Sequence, residues 1–290
     1  MKTNSLWQTV LDTAKSAIQC GALERIPTRI EFVEDGGIRF QVHLVQQLEQ
    51  KRRAKITQGR TGANPFLPYE EALFVADVSD THVCLLNKFN VMDHHLLIVT
   101  RAFEHQETLL TPADFEAMWL CLGEFDGLAF YNSGEIAGAS QPHKHLQQVP
   151  LPLGGGPEHT PIGSLLTQAE FDGDLGTVAA FPFVHSLARV SHLSSGLPSE
   201  AARGTEEIYL EMLRGWGASE APEPYNLLVT REWMLFVPRS VEFHGSISVN
   251  ALGFAGSLLA RDEEELGVIR KRGPLGILEG VGFHPDGLSG

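Results

Sequence analysis

Cysteine is scarce in this chain. Cys20, Cys84 and Cys121 are the only three in 290 residues, and no two form a CxxC pair. An odd, scattered set excludes a disulfide framework and a cysteine-built zinc site, and points to a reducing cytosol. Positive charge is also short: Lys and Arg number 22 against 36 Asp and Glu, for a net charge of -14. That balance argues against nucleic acid as a partner, because phosphate backbones demand a basic footprint. No uncharged run is long enough to cross a bilayer, and the opening MKTNSLWQTVLDTAKSAIQCG has no apolar core of a secretory signal. A soluble, cytoplasmic protein with no membrane partner is therefore expected. Repeats and low-complexity tracts are lacking too. What remains is ordinary globular material, 43% hydrophobic and 20% charged, enough for one large domain or two intimate ones. A small polyanionic substrate stays compatible with the acidic balance, provided that basic residues are gathered locally.

Hydrophobic periodicity orders the chain. Trp7, Val10, Leu11, Ala14 and Ile18 recur at helical spacing from about Leu6, with Gly21 as a stop. Arg29–Val33 and Ile38–Val45 flank Glu34-Asp35-Gly36-Gly37, which predicts a hairpin, and the alternation of Ile38, Phe40, Val42 and Leu44 predicts a half-buried second strand. Lys51, Arg52, Arg53, Lys55 and Arg60 then gather five of the 22 basic residues around Gly59 and Gly62. This is either a solvated connector or a contact for polyphosphate. LFVADV, THVCLLNKF and HHLLIVT read as antiparallel strands, with Asn87 and Lys88 at a strand end. His94 and His95 face opposite ways and are read as structural. Thr111-Pro112-Ala113-Asp114 is a helix start, followed by the apolar stripe Phe115, Met118, Trp119, Leu122 and Phe125. Gly154–Pro157 and the Gly/Asp-rich tract to Gly176 read as a mobile connection with one short helix. Beyond it lie a helix carrying Ile208, Met212, Leu213 and Trp216, and the strands YNLLVT and WMLFVPR joined across Arg231-Glu232.

Between the halves stands YNSGEIAGASQPHKHLQQVPLPL, Tyr131–Leu153. In an extended strand His143, His145 and Gln147 project to one face, and Leu146 with the stem of Lys144 to the other. Upstream, Gly134, Gly138 and Ser140 are small enough to let the backbone approach a ligand. A turn rich in N–H donors feeding a strand that presents imidazole suits an anionic phosphate, and imidazole can carry a phosphoryl or nucleotidyl group covalently. Two histidines on one strand face also form a common metal-ligand pair, although nothing in the sequence is spaced to complete the set. A purely structural pair satisfying a sheet edge is the plainest alternative.

This stretch resembles the signature of the histidine-triad superfamily, in its nucleotidyltransferase branch, where glutamine replaces the third histidine. The similarity to ATP adenylyltransferases, also called diadenosine tetraphosphate phosphorylases, extends through NPFLP at Asn64–Pro68, His82–Phe89, His94–Thr100 and Trp233–Arg239. Hexose-1-phosphate uridylyltransferases share the layout but usually carry proline where this chain has Lys144.

The resemblance implies an α/β (α+β) fold, a histidine-triad-like antiparallel sheet flanked by helices. Residues 1–160 would hold the basic loop and catalytic strand, and residues 161–290 would complete one compact unit. It implies reversible phosphorolysis of diadenosine tetraphosphate to ATP and ADP through an adenylyl group on His145. His143 would position it and Gln147 would donate to the phosphoryl oxygens. Asn132 would hold the phosphate or order the loop. Ser133, Gly138, Ser140, Asn87, a lysine at 51 or 55 (Lys51 or Lys55) and Arg261 would line the substrate site. Diadenosine tetraphosphate, ATP, ADP and phosphate are the implied small-molecule partners, with no metal site and no tightly bound cofactor, Mg2+ entering with the nucleotide. A uridylyltransferase, a dinucleoside polyphosphate hydrolase, and a non-catalytic nucleotide- or metal-binding module are the competing readings.

Overall fold

The computed structural model describes residues 5–45, 64–153, 159–217 and 223–285. The basic stretch with Lys51 and Lys55 and the Gly154–Pro157 tract lie outside the described residues. Helix α1 is Leu6–Cys20; Ser5 accepts from the Gln8 N–H at its start, and Gly21 closes it at φ 77, a left-handed conformation that glycine adopts without a Cβ penalty. The hairpin follows as expected, with β1 Thr28–Asp35 and β2 Ile38–Val45 turning at Gly36-Gly37. Strand β2 is not half-buried, however: Gln41 and His43 are only 4% and 6% exposed. Its even-numbered side chains join the main hydrophobic cluster, while His43 lines a cleft instead of meeting solvent.

The three apolar runs form β3 Phe74–Asp77, β4 His82–Leu86 and β5 Leu96–Thr100. Helix α2, Pro112–Glu124, opens with a reciprocal cap between Thr111 and Asp114. Strands β6 Gly127–Asn132 and β7 His145–Pro150 follow. The tract to Gly176 is more ordered than its composition predicts. It holds the short helix α3, Gly163–Leu166, and also a hairpin, β8 Glu170–Asp172 and β9 Leu175–Thr177. Glycine there marks a turn at Gly173, φ 67, rather than a break in structure. After β10 Ser186–Arg189 come α4 Pro198–Trp216 and the expected hairpin β11 Tyr225–Val229 and β12 Trp233–Pro238. The C-terminal part adds β13 Phe243–His244, β14 Ile247–Ser248, α5 Ala251–Phe254, β15 Ser257–Ala260, α6 Glu263–Arg272 and α7 Pro274–Glu279.

Ten strands make one antiparallel sheet in the order β3-β4-β5-β7-β6-β11-β12-β10-β9-β8. The two sequence halves meet in its middle, where β6 pairs β11 from Asn132↔Asn226 to Ala129↔Val229. One face carries Ile98, Ala129, Tyr131, Leu146, Leu227 and Val229 against the α2 stripe and against Tyr209, Met212 and Leu213 of α4. Each of the Ile, Leu, Val and Met side chains among them contributes roughly 1.5–3 kcal/mol by leaving water. Helix α1 covers the β3–β4 end through Cys84 and Leu86. On the other face Leu128, Phe130, Val149 and Leu228 share a cluster with Phe40 and Val42 of β2 and with Phe254, Leu258 and Ile269. There β15 runs parallel to β2, so that β1-β2-β15 form a small second sheet. Among the described residues no helix is long and apolar enough to cross a membrane.

Lys144 ties the motif strand to the helical layer. Its side chain is wholly buried, and Nζ donates to Asp114 Oδ2 at 2.8 Å, the Leu109 carbonyl at 2.8 Å and Glu104 Oε2 at 3.2 Å. Asp114 Oδ1 lies 3.0 Å from His82 Nε2. Burial alone would raise the Asp114 carboxyl, but hydrogen bonding from His82 and the Lys144 charge outweigh it and bring it down to about 2. Removing one partner of a buried pair leaves the other charge uncompensated. Asp114→Ala is therefore expected to cost about 3–5 kcal/mol in urea denaturation. Adding Lys144→Met should restore part of that loss; a cost below about 1 kcal/mol would show that the pair carries no such load.

Candidate active site

The strand β7 begins at His145, and His143 precedes it in an isolated bridge to His105. Both imidazoles nonetheless share one side, since the Phe66 ring lies 5.6 Å from His143 and 5.3 Å from His145. His143 is held at both nitrogens. Asn64 Nδ2 donates to Nδ1 at 2.8 Å, because the Asn64 oxygen already accepts the Phe66 N–H at 2.9 Å. The proton is therefore on Nε2, which faces the Thr100 carbonyl at 2.8 Å and the Ala102 carbonyl at 3.2 Å. With both nitrogens engaged, His143 is unsuited to metal ligation, and among the described residues no three His, Cys, Asp or Glu are grouped to hold an ion.

His145 differs. Its Nδ1–H donates to the His143 carbonyl at 2.8 Å, which puts the lone pair on Nε2, and Nε2 has no hydrogen-bond partner among the described residues. Burial lowers its pKa to about 4 and outweighs the carbonyl, which pulls upward. The ring is thus neutral and nucleophilic at neutral pH.

The backbone of His145 is fixed by a residue that the motif does not contain. Strands β6 and β7 pair only as far as Phe130↔Gln147. Beyond that point the side chain of Gln106 takes the place of a strand. Its Oε1 accepts the His145 N–H at 2.9 Å, and its Nε2 donates to the carbonyls of His145 at 3.1 Å and Asn132 at 2.9 Å. A lone glutamine in a loop gives no sequence signal for this.

The Gly-rich loop is built by the other half of the chain. Arg239 is buried, and burial draws its guanidinium down to about 10, so it remains a cation. It donates to Asn226 Oδ1 at 2.6 Å, the Val249 carbonyl at 3.0 Å and the Val281 carbonyl at 3.1 Å. Asn226 must then present Nδ2 to Asn132 Oδ1 and to the Ala137 carbonyl, each at 2.8 Å. The same Asn132 oxygen accepts the Ala251 N–H at 2.9 Å. Of the two roles open to Asn132, these contacts serve loop ordering. Ser133 is buried, with its N–H on the Tyr225 carbonyl at 2.9 Å, and so belongs to the same seam. The N–H groups of Gly134, Gly138 and Ala139 bond within the loop, whereas Ser140 is exposed. Gly138 has a reason beyond approach to a ligand: at φ 89, an added Cβ would fall 2.7 Å from the Val249 carbonyl.

Gln147 is half-buried, and its Oε1 lies 2.9 Å from His95 Nε2. His95, read from sequence as structural, lines a cleft between the two sheets together with Asn87, Gly138, His43, Asn250 and Ser257. Phe89, Val91, Met92, Leu252 and Leu258 supply its apolar walls, and the cavity volume is about 150 Å³. Neither nitrogen of His43, which is 6% exposed, has a partner among the described residues; its alternation with buried apolar residues hid it as an ordinary strand residue. Arg261 is not a cleft residue. Its Nε donates to Glu265 at 2.7 Å, and its Nη2 donates to the Ser246 carbonyl at 3.1 Å.

Residues 1–168 match the Ap4A phosphorylase N-terminal domain, and residues 179–284 match the ATP adenylyltransferase C-terminal domain. The chain belongs to the Ap4A phosphorylase family. It is an enzyme, a nucleotidyltransferase, and not a passive binding module. Among its relatives, diadenosine 5',5'''-P1,P4-tetraphosphate phosphorylase 2 of Saccharomyces cerevisiae is 29% identical, over 78% of this chain and 78% of that protein. Protein APA1 of the same yeast is 28% identical, over 91% of this chain and 89% of its own length. The crystal structure of yeast Ap4A phosphorylase Apa2 in complex with Ap4A superposes with a TM-score of 0.80 at 22% identity, covering 98% of this chain and 99% of that one. Apa2 has also been solved with AMP. That likeness bears on the fold, which is the α+β arrangement expected.

The depressed pKa of His145 sets an acid limit for this Ap4A phosphorylase family member. A nucleophile whose folded pKa lies near 4 stays unprotonated above that value and loses activity only as pH falls toward it. In a stability-corrected profile, kcat/KM should keep its value through pH 6.5, the ordinary histidine range, and decline nearer 4. A midpoint at 6.5 would contradict the buried, neutral assignment.

Proposed function

We propose that this chain catalyses the reversible phosphorolysis of diadenosine tetraphosphate, giving ATP and ADP through an adenylyl-histidine. The observation that carries the reading is the Nδ1 bond of His145 to the His143 carbonyl at 2.8 Å, which leaves the lone pair on Nε2 for attack. Nε2 attacks the α-phosphorus, a P–N bond forms, and the P–O bond to the β-phosphate breaks, releasing ATP. An oxygen of inorganic phosphate then attacks the same phosphorus, breaking the P–N bond and releasing ADP. Gln147 donates its amide to the phosphoryl oxygens without changing charge, and Ser140 provides a hydroxyl at the loop for the charge that develops. His143 positions the nucleophile through its carbonyl. The cleft with Asn87, Gly138 and His43, whose ring nitrogens have no partner among the described residues, suits a nucleoside, with apolar walls for a base and polar groups for its edges and sugar.

Lysine 51 or 55 (Lys51 or Lys55) would add positive charge for the polyphosphate in an acidic protein, whereas the Glu265 pairing of Arg261 makes it a weaker candidate. No tightly bound cofactor is needed for either displacement, and Mg2+ would arrive with the nucleotide's phosphates. A reducing cytoplasm fits the three free cysteines.

Diadenosine tetraphosphate with phosphate should yield ATP and ADP in equal amounts, and without phosphate turnover should stall after one adenylyl transfer. Labelled phosphate should exchange into ADP with no other nucleotide present, since the second displacement runs alone. His145→Ala should lose about 10³-fold or more in kcat, in line with removal of a nucleophile that nothing replaces. Products of AMP and ATP that ignore phosphate would identify a hydrolase instead.

A further inference from the structure

We infer that His95 is a positioning residue that fixes which end of the Gln147 amide meets the substrate, and that Asn87 sets the tautomer in which it does so. The inference rests on the proposed role of Gln147 as an N–H donor to the phosphoryl group.

A carboxamide is nearly symmetric in shape and opposite in polarity at its two ends. Turned by half a rotation, Gln147 would offer a carbonyl oxygen to an anionic phosphate and repel it. Four groups in series settle the orientation, starting from one that cannot be reversed. The Phe89 backbone N–H can only donate, and it meets Asn87 Oδ1 at 3.3 Å. Asn87 must therefore present Nδ2 to His95 Nδ1, also at 3.3 Å. An amide nitrogen can only donate, so His95 Nδ1 accepts and the ring proton lies on Nε2. That Nε2–H points at Gln147 Oε1 at 2.9 Å. The oxygen of Gln147 is thereby held, and its NH2 is the end left for the substrate.

The scaffold keeps the series in place. The Asn87 N–H donates to the His95 carbonyl at 2.8 Å, His95 is 8% exposed, and its ring lies 5.8 Å from that of Phe130. The register of β5 against β7 sets Leu97 opposite Gln147, so His95, two residues before Leu97, projects to the same face. Asn87 accordingly acts on the phosphoryl group through His95, beyond any contact that it makes in the cleft.

Three single variants and one double variant test this, with kcat, KM and melting midpoint measured on the purified full chain. His95→Phe removes the donor, His95→Gln keeps an N–H near the place of Nε2, and Gln147→Ala removes the amide. Loss of an outer partner that orients a ligand-binding group typically costs about 10–100-fold. His95→Phe should lower kcat by about that factor, with KM changed less than about threefold, and His95→Gln should recover most of it. Because both residues act through one group, His95→Phe in the Gln147→Ala background should add almost nothing. Independent, multiplying losses, or a His95→Gln variant as slow as His95→Phe, would overturn the positioning role. Should His95→Phe fail to fold, His95→Leu, which also lacks the donor, takes its place alone and in the Gln147→Ala background, with the same outcomes expected. An unchanged kcat in Gln147→Ala alone would refute the role of Gln147, and with it this inference, and that outcome is read without any His95 variant.

Discussion

The hydrogen bond from His145 Nδ1 to the carbonyl of His143, 2.8 Å long, is the constraint on which the rest of the site depends. It selects one tautomer of a buried ring, and burial keeps that ring uncharged. An imidazole free to exchange tautomers would present a lone pair only part of the time, and one exposed to water would be partly protonated near neutrality. The surrounding contacts hold the two residues so that this bond persists. Asn64 and the Thr100 carbonyl grip the His143 ring, Gln106 grips the His145 backbone, and Lys144 anchors the reverse face of the strand to Asp114.

The second dependence runs across the seam between the two halves. Arg239 fixes the Asn226 amide, Asn226 fixes the oxygen of Asn132, and the same oxygen receives the Ala251 N–H. A buried cation is costly unless its donors are satisfied, and Arg239, with no carboxylate on its guanidinium among the described residues, donates to the carbonyls of residues 241, 249 and 281. The C-terminal half thus shapes the Gly-rich loop that the N-terminal half carries. The same logic of donors that cannot be reversed recurs at Phe89, Asn87, His95 and Gln147.

The elements were legible where local chemistry decides them. Gly21, the Gly36-Gly37 turn, the Thr111–Asp114 cap and the period-two placement of His145 and Gln147 follow from spacing alone. The tract before Gly176 was misjudged because glycine and aspartate mark hairpin turns as readily as linkers, and strands of three residues leave no periodicity to detect. Gln106, His95 and His43 were invisible for a different reason. Each acts through a partner between 39 and 52 residues away or through a cleft formed by distant segments, and a polar residue in a strand or loop looks the same whether its neighbour is water or an active-site group. Arg261 was implied by the family resemblance alone, and its pairing with Glu265, one helical turn later, gave no signal in that resemblance.

The central claim is that His145 carries the adenylyl group, and the direct measurement is its capture. The enzyme, mixed with diadenosine tetraphosphate in the absence of phosphate and quenched in alkali to preserve a phosphoramidate, should gain the mass of one adenylyl group on the peptide containing His145, and addition of phosphate before the quench should remove it. Rapid turnover in the presence of phosphate, with no adenylylated peptide at any time short of completion and inversion of configuration at the α-phosphorus, would contradict the account and assign His145 to a single direct displacement.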